Sequence, residues 1–324
     1  MEQLKEIQER LAPELAAMNK IIVDSLHTPN EMMNYVVSGY LRTKGKQLRP
    51  ILVILSAKMF GEISDAVLYA GAALEMLHNA SLIHDDVVDE TNLRRGKPTI
   101  NASMGNQIAV LVGDFFVSNA LAVGIKSGKI DVISALSSLG KELSLGEIDQ
   151  ISNARERRFD TESYFSMIHQ KTASLFINCI RMGASIAGAS GEEIESLTEY
   201  ASLLGLCFQI KDDIFDYYNN PQIGKPTGND LREGKVTLPL LYALNDAPED
   251  VAIPMKELLS KSSLSAEDID RLVSFAKEYG GVNHAFATMR EMQRRAEEII
   301  APFPDSDPKR AFRDIFDFII SRDR

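Results

Sequence analysis

The sequence has little cysteine, no excess of positive charge and no uninterrupted apolar span, and each shortage excludes something. Two cysteines among 324 residues, Cys179 and Cys207, are too few for a disulfide framework. Both stand in apolar helical surroundings, where a reduced core thiol is the simplest reading. Lys plus Arg total 35 against 46 Asp plus Glu, a net charge of −11. That balance, with a pI of about 5.1, argues against nucleic acid as a partner. It leaves room for a small anionic substrate, because local charge can oppose net charge. Met1 to Arg10 is charged and lacks the apolar core of a secretory signal. The most apolar long run, Gln107 to Ile125, carries Asp114 in its middle. A lone carboxylate at a bilayer centre costs about 2.5–3.5 kcal/mol, so this run reads as a buried helix and the expected compartment is the cytoplasm. Linkers, low-complexity tracts and short repeats are missing, and one domain over residues 1–324 is expected.

What the chain does have is helical periodicity. Hydrophobic residues make up 45% and charged residues 25%, the balance of a globular protein. Alternating β-type runs are scarce, and Gly and Pro fall mostly between apolar-periodic stretches. The spacing predicts helices near Pro13–Ile22, Asn30–Leu41, Leu48–Met59, Ala66–Thr91, Thr99–Ile125 and Asp131–Ser152. A second set covers Thr161–Ala187, Gly191–Tyr218, Leu238–Ala243, Ser265–Tyr279, Val282–Ile300 and Lys309–Ser321. Ser190-Gly-Glu-Glu193 has the pattern of a capping box. Several helices are long and apolar on more than one side, as in the centre of a large all-α bundle. Asn219–Val236 is the longest stretch without helical periodicity, and a loop of that length suggests a lid.

Two strings carry the chemistry. Asp85-Asp86-Val-Val-Asp89 and Asp212-Asp213-Ile-Phe-Asp216 both read D-D-x-x-D inside apolar helical runs. Positions i and i+4 share a helix face, so Asp85 stands beside Asp89 and Asp212 beside Asp216. Like charges at that spacing destabilise a helix unless a countercharge meets them. Mg²⁺ is the natural one, since it takes hard oxygen ligands and shares them with substrate phosphates. One such string turns up by chance in about 7% of chains this long; two are far rarer. A Ca²⁺ loop has different spacing, and the five histidines show no zinc-ligand spacing with cysteine.

Phosphate binders accompany the aspartates. Lys44-Gly45-Lys46-Gln-Leu-Arg49-Pro50 opens an early helix, Arg94-Arg95-Gly-Lys97 follows the first string, Lys171-Thr172 lies mid-helix, and Lys225 and Lys235 flank the long loop. Arg grips phosphate with a planar fork and Lys as a point charge, while Gly45 lets backbone approach closely. Carboxylates, Mg²⁺ and basic side chains around one space describe a diphosphate site.

These residues resemble the trans-isoprenyl diphosphate synthase, or polyprenyl synthetase, family over nearly the whole chain. The likeness rests on Gly45-Lys-Gln-Leu-Arg-Pro50, Leu82-Ile-His-Asp-Asp-Val-Val-Asp89, Arg94-Arg-Gly-Lys-Pro98, Gly113-Asp114, Lys171-Thr172, Phe208-Gln-Ile-Lys-Asp-Asp-Ile-Phe-Asp216, and Gly224-Lys-Pro-Thr-Gly228 through Lys235. The resemblance implies a large single-domain helical bundle around a central cavity, the isoprenoid synthase fold, and a homodimer. It implies condensation of isopentenyl diphosphate with an allylic diphosphate such as farnesyl diphosphate, with two or three Mg²⁺ ions. On it, Asp85, Asp89 and Asp212 hold the metal, supported by Asp86, Asp213 and Asp216. Arg94, Lys171, Thr172, Gln209, Lys225 and Lys235 contact the allylic diphosphate, and Asp85, Asp212, Lys171 and Thr172 are the catalytic set. Gly45, Lys46, Arg49, His78 and Arg95 hold isopentenyl diphosphate. The family's usual Gly-Gly-Lys-Arg opening is Lys44-Gly45-Lys46-Gln47 here, which puts one phosphate contact in question.

Product length follows from the helix before Asp85. Ser81, Leu77 and Leu74 step back along one face, and three turns span about 16 Å. Short-chain members of the family place an aromatic residue four or five positions before the first aspartate; here Ser81 and Ala80 stand there. Each isoprene unit buries five carbons at about 0.8 kcal/mol per methylene, so an open floor favours growth. The resemblance therefore implies a long product, octaprenyl diphosphate by preference, of the kind that serves as a quinone side chain. Such a product is insoluble, which leaves peripheral membrane contact at release open. A short-chain farnesyl or geranylgeranyl synthase is the alternative. A terpene cyclase has no need of Lys46, Arg49 and Arg95, and a silent partner subunit has no need of six aspartates.

Overall fold

The computed structural model describes residues 2–42, 45–218, 227–261 and 263–322. Lys44, Lys225 and residues 219–226 of the expected lid lie outside them. The chain is all-α, as the periodicity predicts. The first helices are α1 (Glu2–Arg10), α2 (Ala12–Ser25), α3 (Glu31–Leu41), α4 (Leu48–Lys58) and α5 (Asp65–Val88). A hairpin of β1 (Leu93–Arg94) and β2 (Lys97–Pro98) leads to α6 (Ile100–Met104), α7 (Asn106–Lys126), α8 (Ile130–Glu156) and α9 (Thr161–Ile168). After a π-helical turn, His169–Ala173, come α10 (Ser174–Ile186), α11 (Gly191–Phe215), α12 (Asn229–Arg232) and α13 (Leu238–Asp246). The last are α14 (Glu249–Leu259), α15 (Ala266–Glu278), α16 (Gly281–Ile300) and α17 (Asp307–Ser321).

The chain divides into two compact units. The first comprises Met1–Lys141, Leu175–Thr198 and Phe303–Asp314; the second comprises Glu142–Ser174, Glu199–Pro302 and Ile315–Arg324. In the first, α5 packs most extensively on α7 and then on α4 and α2. Ile51, Leu52, Val53 and Ile54 of α4 are all 0% exposed. Burying one such side chain is worth about 1.5–3 kcal/mol, which is why α4 holds where Gln47, at its N-cap, takes the left-handed conformation without capping it. In the second unit α13 packs on α16 and α15.

The ends of the helices follow local chemistry. Asn30 caps α3 through Met33 N–H, and Ser265 with Asp268 forms a full capping box on α15. The expected box at Ser190 is present, with Ser190 N–H donating to Glu193 Oε2 at 2.7 Å and Glu193 N–H to Ser190 Oγ at 3.3 Å. Three expectations change. The stretch expected as one helix over Thr99–Ile125 breaks at Gly105, whose φ of 86° suits glycine. The stretch over Thr161–Ala187 is interrupted by the π turn. Glu2–Arg10 and Glu249–Leu259 are helices although one is nearly all polar and the other contains Pro254.

Candidate active site

The first aspartate string closes α5. Asp89 N–H donates to Asp85 C=O at 2.8 Å, and Thr91 N–H reaches back to Asp86 C=O at 2.9 Å. Glu90 has φ 51°, so the chain leaves the helix there. Asp86 is 4% exposed and takes both Nε of Arg94 at 2.9 Å and its Nη2 at 2.7 Å on one oxygen. Burial works against the Arg94 charge, but the bond to Asp86 raises its pKa overall. Asp86 and Arg94, expected as metal support and diphosphate contact, are thus partners of each other. Asn101 Nδ2 donates to Asp86 C=O at 3.0 Å and ties α6 to the same corner.

The second string closes α11 differently. Asp212 pairs with Nη2 of Arg322 at 2.7 Å, and that guanidinium also donates to Phe208 C=O at 2.9 Å and lies 4.3 Å above the Phe208 ring. Asp213 is 5% exposed; the Tyr164 hydroxyl donates to one oxygen, and Gln209 Nε2 donates to the other at 2.8 Å. Burial, with Asp212 and Asp216 adding repulsion, pushes Asp213 up to about 7. Asp216 caps the next element: its two oxygens accept Asn229 N–H at 2.9 Å and Asp230 N–H at 3.1 Å. Asp230 is itself raised well above the usual carboxylate range, by burial and then by Asp213 and Asp216.

The basic residues fall within the same two units. In the second unit, Lys171 and Thr172 occupy the π turn, a feature that recurs at functional sites. Thr172 Oγ1 donates to Gln209 Oε1 at 2.7 Å. Lys171 Nζ donates to Gln150 Oε1 at 3.0 Å and forms an ion pair with Glu147. One cavity of this unit is lined by Gln150, Tyr164, Lys171, Gln209, Asp213 and Lys235. Lys235 Nζ pairs with Glu233 at 2.8 Å.

In the first unit, Gly45 lies under Arg95: a Cβ on it would sit 2.5 Å from Arg95 Nη2. A side chain there would push the guanidinium aside. Arg49 lies 5.6 Å over the Phe176 ring. His78 is 7% exposed and is held neutral by burial first and then by Arg49, Arg95 and Arg94. Glu75 and Arg49 also act on the buried thiol of Cys179, which burial pushes up to about 12. Lys46 offers its C=O to Gln8 Nε2 at 2.8 Å. Gln47, where the family pattern has arginine, is anchored on Asn19 Oδ1 at 3.0 Å. A cavity of this unit is lined by Tyr40, Asp86, Arg94, Arg95 and Thr99. Along α5, Leu74 and Ala80 are 0% exposed, Leu77 is 8% exposed and Ser81 is half-buried.

The donor set suits a hard divalent cation. Burial first, and nearby carboxylates after it, raise Asp213 and Asp230, and a cation beside them would favour the charged form. No three Asp, Glu, His or Cys side chains among the described residues form a closed metal cage. Mg²⁺ needs none, since one or two carboxylates plus substrate phosphate and water complete its shell. Tyr164, Glu147, Gln150, Glu75 and Arg322 join the expected residues; none stands in a string that marks it in the sequence.

Comparison with known proteins agrees with the geometry. The polyprenyl synthetase family model matches residues 30–276. The octaprenyl diphosphate synthase of Escherichia coli (strain K12) is 32% identical over 326 residues, covering 99% of each chain. The short chain isoprenyl diphosphate synthase of Methanothermobacter thermautotrophicus is 33% identical over 306 residues, covering 91% of this chain and 92% of that one. A polyprenyl synthase from Caulobacter crescentus, solved with calcium and isoprenyl diphosphate, superposes with a TM-score of 0.91 at 29% identity over 98% of each chain. The paired aspartate strings, the basic residues that accompany them and a family match through most of the chain have one conclusion: this protein belongs to the polyprenyl synthetase family and is a prenyltransferase.

Proposed function

We propose that this chain is a long-chain all-trans polyprenyl diphosphate synthase, octaprenyl preferred, that adds isopentenyl diphosphate repeatedly to an allylic primer such as farnesyl diphosphate. The observation that carries the length is Ala80 and Ser81, small side chains just before Asp85 on the face that continues to Leu77 and Leu74. The likeness to an octaprenyl synthase at 32% identity supports it. The likeness to a short-chain synthase at 33% identity favours the alternative, so identity alone does not choose. We read residues 1–324 as one catalytic domain, because the family match at 30–276 runs through both compact units.

In this reading Mg²⁺, two or three ions held by Asp85, Asp89 and Asp212 with Asp86, Asp213 and Asp216 in support, supplies positive charge to the leaving diphosphate. Lys171, Thr172, Gln209, Lys225, Lys235 and Arg94 bind that diphosphate and offset the charge it gains as the C–O bond ionises. Gly45, Lys46, Arg49, His78 and Arg95 hold isopentenyl diphosphate so that its double bond faces the allylic cation. His78, kept neutral among three arginines, serves as a hydrogen-bonding group rather than a charge. A proton then leaves to the released diphosphate. Water must stay out, and the segment Asn219–Val236 is the proposed cover.

A homodimer fits the exposed apolar residues Val110, Leu111, Leu121 and Ile125 of α7, which are 39–66% exposed. The free thiols Cys179 and Cys207 fit the cytoplasm, with membrane contact for release of a long product. The test is a product assay with Mg²⁺, farnesyl diphosphate and excess isopentenyl diphosphate, read by mass spectrometry. A narrow peak near eight isoprene units supports the reading. A peak at three or four units keeps the chemistry and rejects the open floor. Diphosphate release without elongation indicates a cyclase, and no turnover a silent subunit.

A further inference from the structure

The π turn that carries Lys171 does not stand alone; α8 is shaped to receive it. Gly146 has no Cβ where one would lie 2.9 Å from Lys171 N and 3.2 Å from its Cα. One residue on, Glu147 forms an ion pair with Lys171 Nζ, the carboxylate side chain being 13% exposed and the ammonium side chain 22%. One helical turn on, Gln150 Nε2 donates to Glu147 Oε1 at 3.1 Å while its Oε1 accepts Lys171 Nζ at 3.0 Å. The three side chains close a triangle. Residues i and i+3 share a helix face, so Glu147 and Gln150 meet the ammonium together. Beside them Gln170 Nε2 donates to Asp149 Oδ2 at 3.2 Å, a second tie between the turn and α8.

We propose that Glu147 and Gln150 are positioning residues that hold the Lys171 ammonium in place for an oxygen of the allylic diphosphate, with Gly146 as their seat. Lysine is a flexible point charge with three donors. Gln150 takes one, the Glu147 carboxylate takes a second, and the third is left for substrate. Gln150 also lines the cavity that holds Lys171, Thr172 and Gln209. A salt bridge made only for stability needs no such neighbour. The proposal rests on the reading that Lys171 binds the allylic diphosphate.

The experiment is a double-mutant cycle on the full chain with Glu147→Gln, Lys171→Ala and both together. Two readouts are taken: steady-state kinetics, and the affinity for inorganic pyrophosphate with Mg²⁺ by calorimetry. Glu147→Gln keeps shape and lowers kcat about 10- to 100-fold, the scale of a misplaced catalytic group. The KM for isopentenyl diphosphate stays within about twofold, since Glu147 acts through Lys171. In the Lys171→Ala background the same change costs less than about twofold in kcat and leaves pyrophosphate affinity unchanged. Gln150→Ala follows Glu147→Gln in both readouts. Equal losses in both backgrounds, or none in the first, overturn the positioning role. If the unmodified chain performs no prenyl transfer, the proposed function fails, and the pyrophosphate cycle still decides whether Glu147 acts through Lys171.

Discussion

Asp85–Asp89 and Asp212–Asp216 spell the same pattern at the ends of two long helices, yet the fold meets their charge in different ways. At the end of α5 the middle acid, Asp86, is paired with a guanidinium, Arg94 at 2.7 Å. At the end of α11 the middle acid, Asp213, has neutral donors, Tyr164 and Gln209, and burial, with Asp212 and Asp216 adding repulsion, pushes it up to about 7. The last positions differ as well. Asp89 caps its own helix end, whereas Asp216 uses both oxygens to start α12, thirteen and fourteen residues on. The lesson is that a repeated acidic string divides its labour. In the first string the arginine meets the middle acid, Asp86; in the second it meets the first acid, Asp212, and the last acid also builds the chain that follows.

That contrast can be broken in order of size. Asp85→Asn removes one proposed metal ligand from the first string. It should lower kcat/KM about 10³-fold, or about 4 kcal/mol, while the melting temperature without metal changes little. A large fall in melting temperature would show that Asp85 is structural and the contrast false. Arg94→Ala strips Asp86 of its partner. With Asp86 buried and Arg94 about one-third exposed, the cost is about 2 kcal/mol by urea denaturation. Adding Asp86→Asn should restore at least half of it, because a buried charge no longer stands alone; simple additivity would reject the pairing. Asp216→Ala should cost about 1.5 kcal/mol through two lost backbone bonds and speed proteolysis near Asn229. Asp89→Ala should do neither.

The sequence made the long helices legible, because periodicity is local. Ser190 and Glu193 announced their capping box for the same reason. It did not announce the π turn: nothing in His169-Gln-Lys-Thr-Ala173 differs from an α-helical pattern, and the turn depends on a glycine 25 residues earlier accepting the backbone. Gly105 was hidden by the apolar run that follows it, and the helix around Pro254 by proline's reputation as a breaker. The aspartates were legible as pairs on one face. Their partners were not, since Tyr164 lies 49 residues from Asp213 and Arg322 lies 110 from Asp212. Spacing fixes which groups share a face; tertiary packing decides what each one bonds.

The smallest effect sharpens the contrast most. Tyr164 is 3% exposed, and its ring packs edge-on to Phe165 at 5.5 Å, so Tyr164→Phe keeps the packing and removes only the hydroxyl. Asp213 then keeps the bond from Gln209 Nε2 at 2.8 Å. A neutral hydrogen bond is worth about 1 kcal/mol, and in a protein of this size that lowers the melting temperature by about 2 °C. The informative comparison is with Mg²⁺ and pyrophosphate present. If the hydroxyl serves to offset the crowding of Asp212, Asp213 and Asp216, a bound cation takes over that task and the gap between Tyr164→Phe and the unmodified chain narrows. A gap that stays the same with and without the cation means that the hydroxyl serves packing, and that the α11 end does not wait for outside charge as the contrast with Arg94 and Asp86 requires.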